Sequence, residues 1–234
     1  YGVYYSKSAG LIMSGDDYRQ IRASGVPERY LRQFLGSNEF IGGGVRYCLW
    51  ISDADLSDAL QYPEVARRLE AVKTDRLATD DKSVQKLAER PHQFREFKGD
   101  DAKKIFVPIV SSEAREYFPA GIAGANVVPT NKAFYASGDK LWVLAVIVSR
   151  LHLGWIGTIC GRLEMRYSYS NTLGWNTFPV PTLTDKNKND LTRCSEDILL
   201  AREKHYPATI AELYDPEKMP VDLREAHERN DEVL

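Results

Sequence analysis

Apolar and polar positions recur with different periods along this chain, and each change of period marks an element. Residues 45–51, Val-Arg-Tyr-Cys-Leu-Trp-Ile, form a β-rich apolar run and read as a buried strand. Residues 63–78 read as a helix, because Pro63 suits a first helical position and Val65, Leu69 and Val72 fall on one face. A second, short helix is expected over 81–89, ended by Pro91. Residues 103–110 alternate into a strand with Ile105, Val107 and Ile109 on one side. Upstream, 18–34 has mixed helical character broken at Gly25-Val26-Pro27, and 36–44, with three glycines at 42–44, reads as a turn region. Residues 118–130, rich in Gly, Pro and small side chains, read as loop and short strand.

The second half begins with eight consecutive apolar residues, 141–148, and the apolar trend runs on to Cys160. A membrane span and a buried core helix both fit such a run. Arg150 and His152 interrupt it, which favours one core helix stopped at Gly161. Residues 163–169 alternate strictly. Leu163, Met165, Tyr167 and Tyr169 then face one way, and Glu164, Arg166, Ser168 and Ser170 the other, as in a half-buried strand. Residues 178–181, Phe-Pro-Val-Pro, read as a linker. A helix is expected over 186–204 on Leu191, Ile198 and Leu199, then a turn over 213–220 and a charged helix over Val221–Val233. The fold class expected is α+β: a body over 1–181 with a mixed or antiparallel sheet and packed helices, then a small helical region over 182–234.

The chain has 234 residues, 43% hydrophobic and 27% charged, which excludes collagen, coiled coil, low-complexity disorder and disulfide-rich scaffolds. A net charge of −2 argues against a non-specific polyanion binder, but it is an average. Residues 182–234 carry 8 basic and 13 acidic side chains, hence −5, leaving 23 and 20, hence +3, for 1–181. Three cysteines with no CxxC spacing point to reduced thiols and a cytoplasmic protein without a structural zinc. The first residue is Tyr1, not Met, and no signal peptide is recognisable, so the chain reads as a processed product or, more readily, as a piece of a longer protein.

Familiar catalytic patterns are missing: no GxSxG, HExxH or Walker A run occurs, and the four histidines share no metal-type spacing. Asp81, followed fifteen residues later by Glu96-Phe97-Lys98, resembles a loose Mg²⁺-nuclease pattern, though a solvated loop fits it better. The polar face of 163–170 carries more information. Residues two apart on a strand lie about 6.6 Å from each other on one face. Glu164 and Arg166 are therefore opposite-charge neighbours. They form either a surface pair of small value or a reader of a G·C pair, with Arg donating to guanine O6/N7 and Glu accepting from cytosine N4. Ser111, Ser112, Glu113 and Arg115 follow the 103–110 strand and read equally as a helix cap or as a base or phosphate contact.

Several strings resemble the C-terminal part of MmeI-like (Type IIL) restriction–modification proteins: Gly36-Ser37-Asn38-Glu39-Phe40-Ile41, Arg46-Tyr47-Cys48-Leu49-Trp50, and Val107-Pro108-Ile109-Val110-Ser111-Ser112-Glu113-Ala114-Arg115. Gly161-Arg162-Leu163, Tyr167-Ser168-Tyr169-Ser170, Asn176-Thr177-Phe178-Pro179-Val180-Pro181 and Leu213-Tyr214-Asp215-Pro216 with Met219-Pro220 and Ala226-His227 continue the series in order. Ala114 departs from it, standing where the family commonly has a second Arg, and so does Leu173-Gly174-Trp175. Such proteins join a nuclease, an adenine-N6 DNA methyltransferase, a target recognition domain and a helical C-terminal domain. The resemblance covers the last two. No Asn-Pro-Pro-Tyr run and no S-adenosylmethionine glycine motif is present, so it implies no cofactor in this chain, with S-adenosylmethionine and Mg²⁺ held by upstream domains.

By that resemblance Glu164 and Arg166 are a specificity position. Ser111, Ser112, Arg115 and Asn131 are implicated in base reading, Asn131 as a bidentate partner of adenine or, alternatively, as a turn residue. Arg46, Arg76 and Arg162 sit at recurrent family positions, as phosphate contacts or in buried structural pairs, and Ser168 and Ser170 join them as expected backbone contacts. The implied partners are double-stranded DNA, read in the major groove, and covalently linked methyltransferase and nuclease domains, with no membrane. The expected role is a specificity part that is not itself an enzyme. A Mg²⁺-dependent nuclease through Asp81, Glu96 and Lys98, and a protein-interaction scaffold using the acidic tail, are the alternatives.

Overall fold

The computed structural model describes residues 2–5, 7–96, 102–138 and 140–234. The first half opens with β1 (Ile12–Met13) and α1 (Gly15–Ala23). Ser14 starts α1: its hydroxyl accepts from the Asp17 N–H, and the Asp17 carboxylate accepts from the Ser14 N–H, both at 3.1 Å. The mixed helical character expected up to residue 34 stops early. Gly25 has φ +87°, Pro27 cannot extend a helix, and β2 (Leu31–Leu35) follows. The expected turn region carries a short helix instead, α2 (Ser37–Gly42). Glu39 Oε2 accepts from the Gly36 N–H at 2.8 Å, and Gly43 ends the helix at φ +73°. Gly36 has to be glycine, since a Cβ there would lie 2.8 Å from Thr130 Oγ1. β3 (Tyr47–Leu49), α3 (Leu56–Ala59), α4 (Pro63–Leu77) and α5 (Lys82–Lys86) complete this half, the last capped by Asp81.

β4 (Lys104–Pro108), β5 (Val110–Ser111), β6 (Gly121–Ala123), β7 (Val127–Pro129) and β8 (Ala133–Ser137) follow. β4 is flanked by β6 and β8, antiparallel to both, and is buried along its whole length instead of on one side only. β7 leaves its neighbours and pairs parallel with β2, Phe34 opposite Val128, giving a sheet of order β1-β3-β2-β7. One sheet thus joins the two halves.

The apolar run after residue 141 makes two helices, not one: α6 (Leu141–Ile147) and α7 (Arg150–Ile159), bent by 58°. Ser149 breaks it by donating to the Val146 carbonyl at 2.8 Å and accepting from the His152 N–H at 3.1 Å, which caps α7. Among the described residues no single helix is long and apolar enough to cross a membrane. The strand expected over 163–169 is a hairpin, β9 (Arg162–Leu163) and β10 (Arg166–Ser168). Glu164 and Met165 form its two-residue tip, and β10 continues the sheet onto β5. Period-2 spacing persists through a tight turn, so alternation alone does not reveal the fold-back. Leu163 and Met165, expected inside, are 49% and 65% exposed, while Tyr169 is buried.

α8 (Asp185–Lys204), α9 (Ile210–Leu213) and α10 (Val221–Val233) form the tail, which has no core of its own. Ile198, Leu213, Tyr214, Leu223 and Ala226 share one cluster with Ile105, Val107, Phe118, Leu144 and Ile156. A second cluster gathers Leu11, Ile21, Phe34, Leu49, Val65, Leu69, Val72 and Phe94. A small third cluster of Phe106, Ala123, Val127 and Ala133 takes in Leu35 of β2 and Phe40 of α2, whose ring stacks on Phe106 at 4.5 Å.

Candidate nucleic-acid interface

A groove of about 780 Å³ opens where α2, the end of β5, the hairpin strand β10 and the loop at Asn131-Lys132 converge. Its lining includes Ser111, Ser112, Arg115, Asn131 and Arg166, with Arg46 and Ser168 from the expected backbone contacts. Positions spread from residue 46 to residue 168 therefore share one wall. Ser37 is the bolt. Its hydroxyl donates to the Lys132 carbonyl and accepts from the Ile109 N–H at 3.0 Å, and the residue is 6% exposed. A buried hydroxyl that both donates and accepts fixes α2, the β4–β5 junction and the Asn131-Lys132 loop to one another.

The groove is electropositive. Among its described lining residues Arg46, Arg115, Lys132 and Arg166 are cations and Glu39 is a carboxylate, a surplus of three positive charges. Concave walls concentrate such a field. Arg46 pairs with Glu39 at 2.9 Å and lies over the Phe34 ring at 5.4 Å, so it is held in place. Arg115 differs. Burial pushes its pKa down, its side chain donates to the Ser111 hydroxyl at 3.2 Å, and among the described residues it has no carboxylate within ion-pair distance. A guanidinium has five N–H donors, and among the described residues only the bond to Ser111 is seen for this one, which lines the groove. Asn131 adds a buried Oδ1 with no hydrogen-bond partner among the described residues.

Glu164 stands at the hairpin tip with φ +59°, a left-handed conformation unusual for a side chain with a Cβ. From there its Oε2 accepts from Arg166 Nη2 at 2.8 Å. The pairing expected from strand spacing is present, though the turn creates it and not a shared strand face. Arg162 donates to the Met165 carbonyl at 2.9 Å and lies 5.1 Å over the Tyr167 ring, bracing the tip outside the groove lining. Ser170 accepts from the Leu173 N–H at 3.4 Å, capping a single π-turn over Asn171–Trp175, also outside the lining.

One expectation is overturned. Arg76 is 0% exposed and cannot reach a phosphate. Among the described residues it makes no ion pair either. Its guanidinium donates to the Lys7, Leu87, Arg90 and Gln93 carbonyls and the Ser8 hydroxyl, tying α4 to the segments around it. Burial, with Arg90 nearby, pushes its pKa down to about 10.

The residues of the loose nuclease pattern have local duties. Asp81 accepts from the Ser83 N–H at 2.8 Å as a helix cap, and Glu96 accepts from the Tyr4 N–H at 3.0 Å, while Lys98 lies outside the described residues. Each histidine has a hydrogen-bond partner: His92 with Asp53, His152 with Tyr169, His205 with Asp222 and His227 with Tyr214. Asn38, Glu39 and Lys132 line the groove although sequence reasoning assigned them no contact. The string Gly36–Ile41 stood out only as a family resemblance, and nothing local ties it to residues 111 or 166.

Residues 1–182 match the family model of the MmeI target recognition domain, and residues 183–234 that of the MmeI C-terminal domain. The chain is 38% identical over 205 residues, 88% of its length, to DNA methyltransferase A of Bacillus subtilis (strain 168), of which it spans 23%. It superimposes over its whole length, with a TM-score of 0.93 and 31% identity, on a solved structure of the Type IIL restriction-modification enzyme MmeI in complex with DNA, and spans 31% of that chain. With both family models matched end to end, the chain belongs to the MmeI family, as its target recognition and C-terminal domains.

Proposed function

We propose that this chain is the sequence-reading part of a larger DNA-modifying protein. It docks double-stranded DNA along the electropositive groove and reads base edges in the major groove. The observation that carries this is the convergence of Arg115, Asn131, Arg166 and the Ser111–Ser112 hydroxyls in one groove, with a partly buried Arg115 that has no carboxylate within ion-pair distance among the described residues. Arg166 held against Glu164 offers two forked donors beside an acceptor, the complement of a G·C pair. Residues 1–181 do the reading and 182–234 brace them. Arg46, Arg162, Ser168 and Lys132 steady the duplex through phosphates.

The parent protein is an adenine-N6 methyltransferase with restriction activity, working in the cytoplasm. Its S-adenosylmethionine and Mg²⁺ belong to domains upstream of this chain, whose own residues carry specificity and no bond-making step. The likeness to a DNA methyltransferase and to a DNA-bound restriction–modification enzyme supports this reading. The groove holds few cations, so this chain alone binds duplexes weakly and with a shallow salt dependence.

Selection from a randomised duplex pool at low salt tests the reading. The wild-type chain enriches one defined sequence, and Glu164→Lys with Arg166→Asp changes the base pair chosen at one position while leaving the others. An unenriched pool sinks the reading, and an unchanged preference in the double variant sinks the role of that pair.

A further inference from the structure

We propose that the C-terminal helix α10 is a positioning element for base reading: through Arg224 and His227 it sets the loop over 112–120, and thereby the direction in which Arg115 enters the groove. The inference rests on the DNA-reading function above and adds to it a role for the tail.

Loop 112–120 belongs to no sheet, and its described backbone bonds are short-range: Arg115 N–H to the Ser112 carbonyl at 3.4 Å and Ala120 N–H to the Phe118 carbonyl at 2.9 Å. Neither fixes the loop against the groove. Core packing of Tyr117, Phe118 and Ala120 holds its second half, and side chains of the tail grip the residues next to Arg115. Arg224 Nη1 donates to both Glu116 oxygens, at 2.6 and 2.5 Å. The Tyr117 ring stacks on His227 with centroids 4.0 Å apart and planes 21° from parallel. At the far end, Arg202 Nη1 of α8 donates to the Ala120 carbonyl at 2.7 Å. The tail's own anchors are linked, since the Tyr214 hydroxyl meets His227 Nε2 at 2.7 Å and accepts from Arg202 Nε at 2.8 Å.

Successive residues of the loop therefore serve two masters. Arg115 lines the groove, while Glu116 and Tyr117 are gripped from the tail side. In an irregular segment a shift of one residue's backbone swings its neighbour's side chain, and bidentate base contacts lose their geometry within a fraction of an ångström. Arg150 joins the grip, 3.5 Å from Glu116 and 4.9 Å over the Tyr117 ring, with its backbone N–H on Asp231 of α10 at 2.9 Å. α10 and α7 thus hold Glu116 and Tyr117, the two residues that follow Arg115.

The test uses the 234-residue chain and the randomised duplex pool. Arg115→Ala first identifies the base pair that Arg115 reads. Glu116→Gln and Arg224→Met are then expected to lose discrimination at that same base pair by about tenfold, leaving other positions unchanged, whereas Arg224→Lys keeps most of it. Selection registers only molecules that bind, so partial unfolding lowers the yield without altering the sequences chosen. Wild-type preference at that base pair in Glu116→Gln and Arg224→Met overturns the proposal. So does a uniform loss of affinity with preference intact, which is the signature of a merely structural contact, and so does an Arg115→Ala profile identical to wild type. A wild-type chain that enriches nothing removes the DNA-reading function itself, a failure distinct from the others.

Discussion

Two arginines show how little a residue type settles. Arg76 and Arg115 are both partly or wholly out of water, and burial lowers the pKa of each. Arg76 spends its donors on four carbonyls and a hydroxyl and so ties segments together. Arg115 spends little and faces a groove. His152 illustrates a different consequence of burial. It is fully enclosed, with Nε2 3.1 Å from the Tyr169 hydroxyl and its ring edge-on to Phe178 at 4.7 Å, and burial pushes its pKa from 6.5 down to about 4. Between those values the unfolded chain binds the proton and the folded chain does not. The stability conferred by neutral His152 is thus complete above pH 6.5 and is lost as pH falls towards 4, by about 3 kcal/mol. His227, also buried, acts in the same direction. Thermal melts between pH 7.5 and 4.5 should show a falling Tm, and His152→Gln, which cannot titrate, should flatten the slope. Equal slopes in the two proteins would remove His152 as the cause.

At the scale of elements, the hairpin of β9 and β10 carries the clearest mixture of strain and use. Glu164 holds φ +59° at its tip, where glycine sits more easily. Its ion pair with Arg166 is solvent-exposed and contributes at most about 1 kcal/mol. Glu164→Gly should leave stability unchanged or raise it by up to about 1 kcal/mol in urea unfolding, because relief of strain offsets the lost pair. The same variant releases Arg166, so selectivity at its base pair should weaken. A loss of more than about 1 kcal/mol would mean that the pair builds the hairpin instead of aiming Arg166. The break between α6 and α7 is likewise local chemistry, since one serine hydroxyl ends the first helix and caps the second.

Across the whole molecule, two large cores, a small third cluster and a joining sheet decide where the groove lies. The tail lends Ile198, Leu213, Tyr214, Leu223 and Ala226 to the core beneath β4 and α6. Removing residues 183–234 would strip that core on one side. The shortened chain should bind a hydrophobic dye and lose part of its cooperative melt, although the family models change at that point. A shortened chain that melts within a few degrees of the full one would show the shared core to be dispensable.

The helices Pro63–Leu77, Asp185–Lys204 and Val221–Val233 were legible from apolar spacing and end signals, because those are properties of neighbouring residues. The α+β class and the family strings were legible for the same reason. The turn at Glu164, the helix at Ser37–Gly42 and the carbonyl partners of Arg76 were not. Period-2 spacing survives a tight turn, a glycine-rich string does not reveal its cap partners, and Arg76 is satisfied by carbonyls up to 69 residues away. By itself the sequence determined the residue types able to read DNA and their order along the chain. Only the tertiary structure decided that Arg46, Arg115, Asn131 and Arg166 share one wall and that Arg76 does not, because a groove is made by strand pairing and core packing between distant segments, and local pattern carries no record of either.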